Sequence, residues 1–193
     1  EHFLEGAQGA QALRYLDAAL DHLTSGYLND RAVVMADRAL DMEDLLVGGD
    51  RIAVLLRKTA RLDRLGRREA QEEGLAEAHA LALTAGDKAA LSKVERELGI
   101  LTAHTSRPEE AREHCELALG LFREIGNRHG EASALGDLGL VFRDLGRYPE
   151  ALDHHERHLT IACEIGDRQG EGIATANLGI VNWALGRFPQ ASE

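Results

Sequence analysis

Aromatic residues are scarce in this chain: one tryptophan, three tyrosines and four phenylalanines among 193 residues. β-branched residues are also sparse and scattered, which argues against a large sheet. Only two cysteines occur, Cys115 and Cys163. Two thiols do not make a disulfide framework, so the expectation is free thiols in a reducing, cytoplasmic setting. Long apolar runs are missing. The longest, Ile52 to Leu56, falls far short of the ~20 residues a membrane span needs, and Glu1–Ala10 has no signal-peptide pattern. No membrane partner is expected. The first residue is not Met, which reads as a processed chain or an excised segment. Positive charge is in deficit, with 22 Lys and Arg against 33 Asp and Glu and a net charge of −11. That field repels a polyanion, so nucleic acid is not an expected partner.

What the chain has is helix-forming composition and a repeat. Ala, Leu, Glu and Arg dominate, and 44% of residues are hydrophobic, enough for a continuous core. Ala134-Leu135-Gly136-Asp137-Leu138-Gly139-Leu140 recurs forty residues later as Ala174-Thr175-Ala176-Asn177-Leu178-Gly179-Ile180. Leu145-Gly146-Arg147-Tyr148-Pro149-Glu150-Ala151 recurs as Leu185-Gly186-Arg187-Phe188-Pro189-Gln190-Ala191. The same frame reaches back with fading identity through Leu98-Gly99, Ala85-Gly86-Asp87, Leu65-Gly66-Arg67 and Gly26-Tyr27. A period of this length is the mark of a stacked repeat architecture.

Each repeat reads as two helices. Leu135, Leu138, Val141, Phe142 and Leu145 fall on one helical face. Leu-Gly-Arg then stops the helix, with Gly in the left-handed conformation. Pro149 suits the first turn of the next helix, where an N–H is dispensable, and Asn127 and Asp167 suit N-caps. The spacing predicts helices over 7–24, 30–47, 50–65, 68–85, 88–105, 108–125, 128–145, 148–165 and 168–185, with a further one starting at 188.

The pattern Leu138-Gly139, Phe142, Gly146, Tyr148, Ala151, repeated as Leu178-Gly179, Gly186, Phe188, Ala191, resembles the tetratricopeptide repeat (TPR). The resemblance is strong over 90–193 and weaker over 1–89. The period is 40 residues rather than the usual 34, and Gly-Asp-Arg or Gly-Asn-Arg replaces the closing proline. In this it is similar to the long-repeat subclass of spindle-orientation adaptors, kinesin light chains and bacterial multidomain (STAND-type) signalling proteins. The resemblance implies an all-α fold, a right-handed α-solenoid of helix-turn-helix repeats. It implies a single array over 1–193, with degenerate repeats at 7–47 and 50–85, clearer ones at 88–125 and 128–165, and a truncated one at 168–193.

It also implies that the first helix of each repeat lines an inner groove. The family's inward positions fall on Arg57, Asp63 and Arg64; on Lys93, Arg96, Glu97, Ile100 and His104; on Asp137, Leu140, Arg143 and Asp144; and on Asn177, Ile180 and Trp183. Arg57, Arg64, Lys93, Arg96 and Arg143 suggest a basic groove in an acidic chain, and hence an acidic peptide partner. The competing reading is that these are solvated helix charges. Trp183 is either a groove anchor or part of an interface with further repeats.

No nucleotide-binding loop, H-E-x-x-H or G-x-S-x-G motif occurs, so neither catalysis nor a cofactor is expected. His154 and His158 stand at i, i+4 and could share a metal. The alternative is that His155 and His158 are core residues in the register of Cys115 and Ala118. The functional expectation is a protein–protein interaction scaffold, probed most directly through its groove. The alternative is the sensor or regulatory arm of a nucleotide-dependent switch or transcription regulator. The apolar face of the last repeat offers a route to self-association.

Overall fold

The computed structural model describes residues 10–43 and 45–187, with side chains from residue 13 onward. Nine helices occur among the described residues, and no strand. They are α1 (Ala10–Ser25), α2 (Asn29–Asp41), α3 (Gly48–Arg64), α4 (Arg68–Ala85), α5 (Lys88–His104), α6 (Pro108–Glu124), α7 (Arg128–Asp144), α8 (Tyr148–Ile165) and α9 (Arg168–Ala184). The fold is all-α, built of antiparallel helical hairpins. The expected helix over 188 onward, and residues 7–9 of the first, lie outside the described residues.

The chain forms two compact units, 1–90 and 91–193. In the first, Leu16, Leu20, Ala32, Ala36, Ala39, Leu46 and Val54 make one core cluster. One expectation fails here. The second helix ends at Asp41, not at 47, because Met42 takes an extended backbone. The chain then turns to bring Leu46 into the core, where it is 4% exposed. Gly48, at φ +53, lets the next helix begin at once.

In the second unit the core cluster runs from Cys115, Leu119 and Phe122 through Leu135, Leu138 and Phe142 to Ile161 and Val181, with Tyr148 packed against it. Local chemistry explains the hairpins. Asn127 and Asp167 accept hydrogen bonds from the Gly130 and Gly170 amides, each at 2.9 Å, capping α7 and α9. The left-handed stop seen at Gly66 and Gly146 is occupied by Ser106 between α5 and α6, at φ +60. A side chain there is strained, and the hairpin closes in spite of it.

Small residues set the helix separation. Gly99 of α5 lies against Cys115 of α6, and Gly139 of α7 lies against His155 of α8, the same register one repeat apart. In the first unit the roles are exchanged: Thr59 of α3 meets Gly74 of α4. The close approach survives with the small residue on the other helix.

The second unit's interior takes in charged residues, Glu95 at 5% exposed and Glu131 among them. Glu131, 8% exposed, accepts from Arg123 Nε at 2.8 Å and Arg128 Nη1 at 2.7 Å. Burial opposes its charge, but these two guanidinium groups hold the carboxyl below its usual range. No helix among the described residues is long and apolar enough to cross a membrane.

Candidate interaction groove

Helices α5, α7 and α9 are the first helices of successive hairpins in the second unit. Their shared face carries two adjoining recesses. One, of about 290 Å³, is lined by Arg96, Gly136, Asp137, Leu140, Ile173 and Asn177, with His158 also contributing. The other, of about 300 Å³, includes Ile100, His104, Asp137, Leu140, Arg143 and Asp144. Asp137 and Leu140 belong to both.

Of the residues expected in a groove, the fold therefore brings Arg96, His104, Asp137, Arg143 and Asn177 to one continuous surface. Lys93 is exposed at the start of α5 and lines neither recess. Trp183, 70% exposed on α9, also lines neither. Arg57 and Arg64 belong to the first unit, at the middle and end of α3.

The electrostatics differ from a bare count of cations. Arg96 Nε stands 2.6 Å from Asp137 Oδ2, with Glu97 at 3.7 Å from the same guanidinium. The Arg96 N–H is not aligned on that oxygen, so the contact is an ion pair rather than a good hydrogen bond. Burial pushes the Asp137 carboxyl above its usual range, against the pull of Arg96. Arg143 is turned onto its neighbour Asp144, with Nε at 2.9 Å and Nη2 at 2.7 Å from one oxygen. Arg57 is held by Asp17 at 3.1 Å and Asp21 at 2.5 Å, both on α1. Three of the five cations thus have internal counter-ions. Lys93 and Arg64 are exposed and carry no such pair among the described ion pairs.

A sequence signal for this existed. Arg57 and Asp17 are one repeat apart, and Arg96 and Asp137 nearly so. Opposite charges in matching register on neighbouring first helices meet across the face. The histidines behind the groove were less legible. His158 lies under Gly136 with its Nδ1 buried and unpartnered, between Asp137 and Asp167. Burial holds it below the usual imidazole value, opposed by those two carboxylates. His155 is fully buried and pushed down to about 4 by burial first and then by His158. His154 stacks on Phe142 with ring centroids 5.0 Å apart. No group of three or more His, Cys, Asp or Glu among the described residues is placed to hold a metal ion. Cys115 is buried and its thiol is pushed up to about 12 by burial, which makes it inert packing.

A face of successive first helices backed by second helices defines the class: helical-hairpin repeat proteins, the α-solenoids. Residues 89–164 match the family model of the tetratricopeptide repeat. No curated protein matches the chain. Among solved structures, BtubC (BKLC) from P. vanneervenii is similar at a TM-score of 0.77 and 18% identity, over 92% of this chain and 74% of that one. The TPR-like repeats of a Podosopora anserina kinesin light chain reach 0.73 at 14% identity, over 91% and 87%. A STAND signal-transduction ATPase with a tetratricopeptide repeat sensor, from Pyrococcus horikoshii, reaches 0.77 at 18%, over 91% of this chain but only 26% of that protein. At these identities the likeness establishes the fold.

Proposed function

We propose that this chain is a protein-interaction scaffold whose groove on α5, α7 and α9 takes a segment of a partner protein. Such binding rests on shape and charge, with no bond made or broken. The tetratricopeptide fold is in general a framework for protein–protein contact, and one observation supports this use of it here. Two recesses of peptide side-chain size adjoin on one face and share Asp137 and Leu140, so one extended segment can fill both.

The partner's charge follows from what is left unpaired. Arg96 and Arg143 already face carboxylates, so Lys93 is the cation the groove region of this unit offers to an acidic side chain. The test is titration of a fluorescein-labelled acidic dodecapeptide against the chain and its Lys93→Glu and Arg143→Glu variants. Lys93→Glu is expected to weaken binding roughly fivefold, the size of one exposed charge reversal. Unchanged affinity in both variants refutes this groove assignment.

A second reading has a specific support. The likeness to the STAND protein, which has a tetratricopeptide repeat sensor, covers nearly all of this chain and a quarter of that protein. On that reading the groove is the sensor arm of a larger signalling protein in the cytoplasm. A nucleotide-binding domain encoded next to this segment decides for it.

A further inference from the structure

Resting on the groove reading, we infer that the groove is graded and takes a partner segment with an acidic end over α5 and an apolar, aromatic or aliphatic end over α9. The repeat register makes the gradient explicit. Lys93, Ser133 and Ile173 are equivalent positions on α5, α7 and α9. So are Glu97, Asp137 and Asn177; Ile100, Leu140 and Ile180; and Ala103, Arg143 and Trp183. The face of α5 is charged at Lys93, Arg96 and Glu97. The face of α7 is mixed. The face of α9 carries Ile173, Asn177, Ile180 and Trp183 and no charge.

These α9 side chains lie within about a third of the helix circumference, given ~100° per residue. They are open to solvent: Ile173 and Ile180 are each 48% exposed and Trp183 70%. Single exposed apolar residues are ordinary, but three on one face, including the chain's sole tryptophan, are the composition of an interface anchor. Two observations choose the occupant. The apolar ridge is continuous with the charged recess, since Ile173 lines the same pocket as Arg96 and Asp137. The exposed cation stands at the opposite end, at Lys93. One segment that is acidic at one end and apolar at the other satisfies both. Packed helices are ~10 Å apart, so the two ends are separated by about six extended residues.

Trp183 is its own reporter. Two synthetic dodecapeptides serve as probes, one half acidic and half Leu/Phe-rich, the other acidic throughout. The mixed peptide is expected to bind at least tenfold tighter and to shift Trp183 emission to the blue. Ile180→Ser keeps the reporter and is expected to erase that advantage by weakening the mixed peptide far more than the all-acidic one; Trp183→Ala, followed by calorimetry, does the same. Equal affinity for the two peptides, or an advantage that survives Ile180→Ser, overturns the gradient while leaving the groove reading standing. Binding of neither peptide removes both. A blue shift that grows with protein concentration alone, with a dimer in light scattering, assigns the ridge to a second copy of the chain and overturns the inference. Circular dichroism of the variants checks that the helices are intact, as expected for surface positions.

Discussion

His155 occupies a slot that Cys115 fills one repeat earlier and Leu75 two repeats earlier, and all three are fully buried. An imidazole fits there only because Gly139 leaves room for its ring. Both ring nitrogens are buried without partners, so the neutral form is the one the core accepts. The consequence for stability has a definite sign. The folded value, about 4, lies below the unfolded value of ~6.5. Above pH 6.5 both states are neutral and the residue has no effect. As pH falls the unfolded chain takes up the proton first, and stability is lost progressively down to about pH 4. The full loss is about 3 kcal/mol. His154 and His158, both also shifted down by burial, act in the same direction. Urea denaturation of the wild type and of His155→Cys between pH 7.5 and 4.5 is expected to give curves that diverge below pH 6.5, with the variant less acid-sensitive. Parallel curves contradict the assignment.

At the scale of the element, helical glycines are not equivalent. Gly120 in α6 is exposed, with open space where a methyl would go. Gly120→Ala is expected to stabilise by about 0.5–1 kcal/mol through helix propensity alone. Gly139 in α7 is the opposite case, because a methyl there would overlap the His155 ring. Gly139→Ala should therefore destabilise by roughly 1–3 kcal/mol as the hairpin is pushed apart. Thermal melts of the two variants separate the effects. A gain in both would mean that α7 and α8 are less closely packed than the geometry requires. The exchange of Thr59 and Gly74 in the first unit makes the same point. What the hairpin needs is one small residue at the crossing, on either helix.

For the whole molecule, long-range field and local contact oppose each other. The chain carries −11, so an approaching acidic segment is repelled at distances beyond the groove. Lys93 attracts only at close range. Salt screens the first more than the second, since the Debye length is ~8 Å at physiological ionic strength. The association rate of the mixed peptide, followed by Trp183 fluorescence in stopped flow, is thus expected to rise between 10 and 150 mM salt. A falling rate would show that the groove's local potential governs the encounter.

Much was settled by residue order alone. Gly146 and Gly166 stop helices, Asn127 and Asp167 start them, and Leu135, Leu138 and Phe142 mark the buried face, because these effects act within a turn or two of chain. The end of α2 was not legible in that way. It depends on Leu46 finding a place against Leu16 and Leu20, which are distant in the chain. The groove divides similarly. The tetratricopeptide resemblance put Arg96, Asp137, Arg143 and Asn177 at inward positions, and these four line the recesses, whereas Lys93 and Trp183, put inward by the same pattern, line neither. Their charge state did not follow from register. A guanidinium counts as free or neutralised according to what stands within a few ångströms of it, and Arg96 against Asp137 or Arg57 against Asp17 meet only when helices forty residues apart are laid side by side. Sequence determined the helices and their repeat register; tertiary structure decided which residues line the recesses and which of their charges remain to be used, because Coulomb interaction depends on distance in space rather than along the chain.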